Sequence, residues 1–148
     1  MPGDHEERDV SVIRGAPIES LQRVPLFADL GTRDLQRIAR LFKLRRFASG
    51  ETVIKEGSGG SAFFVIDTGE AAVFVNGRKR TTLKPGDYFG EIALLDAGTR
   101  TATVTAATDL VCWGLTYWDF RPVVQANGRI GWKLLQGMAT LLRTAREG

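Results

Sequence analysis

The spacing of apolar residues divides the sequence into a helical start, a long β-rich middle and a helical end. Residues 1–17 show no apolar period and are interpreted as a polar N-terminal tail. Residues 18–41 have a helical spacing, and one apolar stripe runs through them into the next segment: Leu35, Ile38, Ala39 and Phe42. Thr32 is the predicted N-cap of this helix, and Asp34 falls in its first turn.

The middle of the chain, residues 42–116, has the composition and punctuation of β-structure. Short segments rich in Val, Ile, Phe and Thr recur between turn residues at intervals of about ten. The pair Asn76-Gly77 predicts a type I′ hairpin, because both central positions of that turn need a positive φ. Many short strands without long intervening helices indicate a sandwich, a jelly roll or a barrel.

The end of the chain is expected to form two helices. The first covers residues 119–126, and Asn127-Gly128 is expected to stop it. The second carries an apolar stripe of period 3.6: Ile130, Leu134, Leu135, Met138, Leu141, Leu142 and Ala145. Gly131 and Gly137 weaken this helix by about 1 kcal/mol each relative to alanine. A helix that depends on docking suits a moving lid, although an imperfect terminal helix has the same pattern.

The composition removes several classes of function. One cysteine and one histidine among 148 residues exclude a disulfide, a metal site rich in these residues and a Ser–His relay. Cys112 itself is expected to be a small buried hydrophobe. We therefore expect no metal, no cofactor and no enzymatic activity. No apolar run approaches the roughly 18 residues of a membrane span. The lone thiol and the absence of a signal pattern favour a cytoplasmic location.

One connection in the β-rich region differs from a hairpin. After Gly90, residues 92–95 are expected to form a single helical turn, whose free N–H groups and dipole favour an anion. Arg100 follows at the start of the next strand, and arginine is suited to bidentate pairing with a phosphate. Glu91 and Arg100 could instead form a salt bridge, so both interpretations stay open on these residues alone.

The segments FGEIALL, DAG and TRTATV, residues 89–104, resemble the phosphate-binding cassette of the cyclic nucleotide-binding domain family. LQRVPLFADL at residues 21–30 and the strand at residues 63–66 resemble other parts of that family. The resemblance implies an α+β, mainly β fold: an eight-stranded β-roll, or jelly roll, with an N-terminal helical segment and C-terminal B and C helices. The domain is then residues 18–148, with its β-roll at 42–116 and its last two helices at 117–146.

The resemblance also implies roles for individual residues. Arg100 resembles the arginine that pairs with the cyclic phosphate, and Glu91 the acid that accepts from the ribose 2′-hydroxyl. Four further cassette residues resemble positions around the ribose and phosphate: Gly90, Ile92, Ala93 and Ala102. Val73 and Leu83 match positions beneath the purine, though plain barrel core explains them nearly as well. Arg143 resembles a purine cap, or it is simply solvated.

These features predict a sensor whose terminal helix closes over a bound cyclic nucleotide. Thr101 permits cGMP without requiring it, and cAMP is the expected ligand. The alternatives are a cGMP-selective sensor and a degenerate domain that binds a protein partner but no nucleotide. The effector is unknown. Direct DNA binding is not expected, because the net charge is only +3 and 29 residues after Asp119 leave no room for a helix-turn-helix domain.

Overall fold

The computed structural model describes residues 15–96 and 98–147. Most of the predicted N-terminal tail, with His5, lies outside the described residues. The helices are α1 (Ile18–Gln22), α2 (Thr32–Ala39), α3 (Tyr117–Ala126) and α4 (Gly128–Glu147), and there are two 3₁₀ turns, Pro25–Phe27 and Glu91–Leu94. The strands are β1 (Lys43–Phe47), β2 (Thr52–Ile54), β3 (Ala62–Thr68), β4 (Ala71–Val75), β5 (Arg78–Leu83), β6 (Tyr88–Phe89), β7 (Thr103–Ala106) and β8 (Leu110–Thr116).

The strands form two four-stranded antiparallel sheets, in the orders β1-β8-β3-β6 and β2-β7-β4-β5. Helices stand before and after this jelly roll along the chain, which confirms the predicted fold. The tight turn between β4 and β5 is also confirmed, since Asn76 has φ 53° and Gly77 has φ 78°. In the part of the chain that the structure describes, no helix is both long and apolar enough to cross a membrane.

Strands β3 and β8 separate two hydrophobic cores. Phe63 and Val65 of β3 pack with the helices, whereas Phe64 and Ile66 of the same strand pack between the sheets. Strand β8 alternates in the same way, with Trp113 on the helical side. Because successive side chains of a strand point to opposite faces, a strand buried on both sides serves both cores.

The helix boundaries differ from the sequence predictions in three places, of which the first is the start of α3 at Tyr117 and not at residue 119. The N-cap prediction for Thr32 was wrong, because Gly31 holds the extended cap conformation and Thr32 is already helical. The stop after α3 was placed correctly, but Gly128 is the first residue of α4. The Asn127 side chain accepts hydrogen bonds from the N–H groups of Arg129 and Ile130 at 3.1 and 3.3 Å. Asn127 thus starts the next helix, a use of asparagine at helix N-termini.

Helix α4 packs on the Pro25–Phe27 turn rather than on the sheets. Ile130 and Leu134 are buried in the helical core, and Met138 is half-buried against it. The predicted apolar stripe is therefore split, since Leu135 and Leu142 are 62% and 60% exposed. Contact is closest at Gly137, where an added Cβ would lie 2.5 Å from the carbonyl oxygen of Leu26.

An ion pair fixes the start of α4 to α2. The Arg129 guanidinium donates to both carboxylate oxygens of Asp34, over 2.9 and 3.2 Å. Asp34 is 6% exposed, so its carboxylate is held out of water by the protein. The hydrogen bond from Arg129 holds the pKa of Asp34 below its ordinary value. Asp34 therefore lies in the first turn of α2 and also holds the start of α4 in place. We call the contacts of α4 with Asp34 and with the Pro25–Phe27 turn the seat of α4.

Two glycines of α4 provide a matched test of this docking. Gly137→Ala should destabilise the protein by about 1–3 kcal/mol, because its methyl group would overlap the Leu26 backbone. Gly131→Ala should stabilise it by up to about 1 kcal/mol, since its Cβ meets only a Val124 methyl group at 3.5 Å. Urea unfolding of both variants measures the difference. Equal effects would contradict the close seat of α4 on the Pro25–Phe27 turn.

Candidate functional site

The Glu91–Leu94 turn begins at a glycine that no other residue replaces easily. Gly90 has φ 82°, in the left-handed region that L-residues avoid. Its missing Cβ would lie 2.9 Å from the carbonyl oxygen of Ala62 and 3.0 Å from Arg100 Nη1. The chain can therefore pass from β6 into the turn while β3 and the arginine stay close. The expected turn is confirmed, one residue earlier at each end than the sequence indicated.

The loop that precedes β3 holds Arg100 in place. The Arg100 Nη2 group donates to the carbonyl oxygen of Ala62 over 2.6 Å. Its backbone N–H donates to Ser58 at 2.8 Å, and its carbonyl accepts from Gly57 at 2.9 Å. At Gly60 an added Cβ would lie 2.2 Å from Arg100 Nε, so the guanidinium lies where a side chain would otherwise be.

Arg100 carries a charge that no described acidic group neutralises. Neither ion pair between described side chains includes it. Burial lowers the pKa of its guanidinium, but an arginine still remains charged at neutral pH. A half-buried cation without a carboxylate is a strong site for an anion, since pairing offsets the lost hydration. The alternative salt bridge between Glu91 and Arg100 is not formed among the described residues.

A cavity of about 260 Å³ opens between the turn and Arg100. Its walls include six predicted site residues: Gly90, Glu91, Ile92, Ala93, Arg100 and Thr101. Asp96 and Thr99, which the sequence analysis did not assign, also line it. Burial, and after it the charge of Glu91, raises the pKa of the Tyr88 phenol, so the Glu91 carboxylate lies near that ring. The wall of the cavity thus carries one cation, Arg100, and two carboxylates, Glu91 and Asp96.

Four other predicted site residues lie outside the wall of this cavity. Ala102 is half-buried in the next segment of the chain. Val73, opposite Val104 in the sheet, and Leu83, opposite Ala71, pack against the core between the sheets. Arg143 is exposed on α4, where it lines a separate shallow cavity with Ala139, Leu142 and Arg146. Their roles toward a ligand stay predictions.

Sequence reasoning missed the loop residues that hold the arginine. The sequence analysis assigned no role to Gly60, although its missing side chain makes room for the guanidinium. The Ala62 carbonyl carries no sequence signal, because every residue has one. Such contacts join residues about forty positions apart, and only the folded chain brings them together.

The jelly roll and the unneutralised arginine beside an open turn define a module that binds an anionic ligand. Residues 44–127 match the family model described as cyclic nucleotide-binding domain, and the chain belongs to this family. A cAMP-dependent protein kinase regulatory subunit from Yarrowia lipolytica is 44% identical over 92 residues, 61% of this chain and 24% of the relative. The chain thus spans about a quarter of the length of the curated relatives it matches.

Solved structures agree with this assignment. The N-terminal domain of a transcriptional regulator from Streptomyces coelicolor A3(2) superposes with a TM-score of 0.77 at 28% identity, over 87% of this chain and 96% of that one. The catabolite activator protein of Thermus thermophilus gives 0.65 at 28% identity, over 82% and 60%. Members of this family are generally regulatory, and the chain is a cyclic nucleotide-binding domain of that kind.

The thiol and the acidic groups form no second chemical centre in the described residues. No three His, Cys, Asp or Glu side chains within residues 15–96 and 98–147 could hold a metal ion together. Cys112 is fully buried between the sheets, as the sequence analysis expected. Burial raises the pKa of its thiol to about 12.

This burial predicts an unreactive thiol. At pH 8 the native protein should react with Ellman's reagent only as fast as it unfolds, because the thiolate is the reacting form and is neither populated nor accessible. In about 6 M guanidinium chloride the reaction should be complete within the time of mixing and reading. Absorbance at equal protein concentration measures both rates. Fast labelling of the native protein would contradict the buried position of Cys112.

Proposed function

We propose that this chain is a regulatory module that binds cyclic AMP in the cavity beside Arg100. The observation that carries the proposal is the half-buried guanidinium of Arg100, which has no carboxylate partner among the described residues. A cyclic phosphate supplies the missing negative charge and fits the bidentate donor pattern of arginine. The name of the Yarrowia relative, a cAMP-dependent kinase regulatory subunit, supports adenosine as the nucleoside.

Different residues of the cassette and the sheet would contact the phosphate, the ribose and the purine of the ligand. The phosphate faces Arg100 and the first N–H groups of the Glu91–Leu94 turn, which a 3₁₀ turn leaves without internal partners. The Glu91 carboxylate accepts a hydrogen bond from the ribose 2′-hydroxyl. Thr101 lines the same cavity, and its hydroxyl admits cGMP as a weaker alternative ligand. Val73 and Leu83 would lie beneath the purine, with Ala102 at the phosphate.

Binding is proposed to change the position of α4. In the structure, α4 is seated on the Pro25–Phe27 turn, and Arg143 is exposed and does not line the cavity beside Arg100. Leu95, directly after the Glu91–Leu94 turn, is 39% exposed and lines an apolar groove with Trp132 and Leu135 of α4. When a bound ligand pulls the cassette toward itself, the shape of this groove changes, and α4 can then move so that Arg143 covers the purine. The ligand can drive this closure of α4 only if it binds the closed state more tightly than the seated state.

The proposed output is regulation and not catalysis. The effector is another domain or protein, and the proposed location is the cytoplasm. We propose no direct contact with DNA, since the exposed basic residues of β5 form a charged edge strand, a common device against edge-to-edge pairing.

Replacing the arginine tests the ligand. Arg100→Gln should weaken cAMP binding roughly thirty-fold to several-thousand-fold, because the cyclic phosphate loses its desolvated partner. Gly60→Ala should also weaken binding, since its methyl group displaces the guanidinium. Gly59→Ala is the matched control, because nothing lies within 4 Å of its added Cβ. Calorimetric titration with cAMP and with cGMP measures these affinities. Absence of binding to either nucleotide, in protein freed of bound ligand, would leave a protein-interaction module instead.

Loosening the seat of α4 tests the movement. Asp34→Asn removes the charge that Arg129 holds, and should strengthen cAMP binding about two- to ten-fold if the seated position competes with the closed one. Since the pKa of Asp34 is lowered in the folded chain, the pair stabilises the seat above the ordinary pKa. This contribution is lost as the pH falls through the lowered value. The affinity gain should therefore vanish in strong acid, and an affinity unchanged by the substitution at pH 7 would contradict the movement.

A further inference from the structure

A second cavity also borders Arg100, and the residues of the Glu91–Leu94 turn do not line it. It encloses about 370 Å³ between β2, the start of β3 and the loop of residues 58–61. At about 30 Å³ per water molecule, this is room for roughly a dozen waters, more than one orthophosphate would fill. Arg100 lines both cavities, and residues 90–93 of the cassette line only the first.

The wall of the second cavity is basic. Arg45 from β1 and Lys55 after β2 join Arg100, and no Asp or Glu is among the described residues that line it. Arg45 is steadied by the Phe47 ring, 5.8 Å from its guanidinium carbon. Three cations that share one concave wall without a carboxylate attract anions more strongly than separated surface charges.

The loop adds polar groups and open space to this wall. An added Cβ at Gly59 would meet nothing within 4 Å, so the backbone there is open to a ligand. The Ser61 hydroxyl lines the cavity and makes no hydrogen bond to another described residue. Short polar side chains and exposed backbone beside arginine and lysine are groups that bind phosphate oxygens.

We propose that this cavity, the Arg45–Lys55 cavity, is a second anion site that takes a phosphoanhydride such as pyrophosphate, free or as the end of a nucleoside diphosphate. Arg45 and Lys55 bind one phosphoryl group, and the outer edge of Arg100 binds the other. Because one guanidinium then faces two anions, the new site opposes binding at the cassette. This second part rests on the proposed function, whereas pyrophosphate binding itself does not.

The experiment titrates the full chain with inorganic pyrophosphate at constant ionic strength, without cyclic nucleotide. We expect saturable one-site binding that is weakened about ten-fold or more in the double variant Arg45→Gln, Lys55→Gln. The matched control is Arg78→Gln, Lys79→Gln, which removes one arginine and one lysine from the exposed β5 edge. Gly59→Asp is a second variant, since it places a carboxylate in the cavity without a steric conflict. It should abolish binding, and its melting curve checks folding.

Comparison of ligands identifies the source of the anion. ADP binding as tightly as pyrophosphate indicates that a nucleotide end is accepted, and pyrophosphate alone indicates the free anion; either supports the site. No saturation up to about 10 mM pyrophosphate, or equal losses in the cavity and control double variants, would overturn it, because diffuse charge then explains the binding.

A final titration separates this proposal from the proposed function. Saturating pyrophosphate should raise the apparent Kd for cAMP, and cAMP should raise that for pyrophosphate by the same factor. Pyrophosphate binding without any cAMP binding would remove the proposed function and keep the second site. Binding of cAMP without any binding of pyrophosphate would keep the proposed function and remove the second site. Independent binding of the two would overturn the sharing of Arg100.

Discussion

The burial of one unneutralised charge organises the ligand-facing end of this molecule. A guanidinium half removed from water loses hydration that only a hydrogen-bond acceptor or an anion can offset. The Ala62 carbonyl supplies the first acceptor, and the chain gives up side chains at Gly60 and Gly90 so that the arginine can reach it. The strained turn, the two glycines and the loop before β3 thus follow from the position of Arg100. In the proposed function, a cyclic nucleotide supplies the negative charge that Arg100 lacks among the described residues.

The helical part of the molecule depends on packing and on a neutralised ion pair. There Asp34 and Arg129 satisfy each other, and the Pro25–Phe27 turn receives α4 at a glycine. A helix with two interior glycines has little stability of its own, so its position is set by its contacts. Those contacts are with the Pro25–Phe27 turn, where Gly137 lies close to the Leu26 backbone, and with Asp34 through Arg129. The two regions therefore differ in their electrostatics. The Arg100 guanidinium has no carboxylate partner among the described residues, whereas Asp34 and Arg129 neutralise each other.

The sequence was informative wherever the determining interactions are local. The Asn76-Gly77 hairpin, the turn after Gly90 and the spacing to Arg100 are short patterns whose backbone needs can be read directly. The cassette resemblance added the eight-stranded roll and the helices before and after it. It was uninformative where distant segments meet. Thr32 satisfies the preference for a cap, yet Gly31 takes that position. The apolar stripe of α4 did not predict that Leu135 and Leu142 would be exposed. Periodicity shows which residues share one face of a helix, but not which segment packs against that face. The role of Gly60 depends on a side chain forty residues away.

The sheet that contains β3 and β8 has a mechanical consequence. Its side chains alternate between the core under the helices and the core between the sheets, so both cores pack against this one sheet. A rearrangement of the helices can therefore disrupt packing on one face of the sheet while packing on the other face is kept. A chain of 148 residues thus contains two separately packed cores, and local opening of one does not require loss of the other.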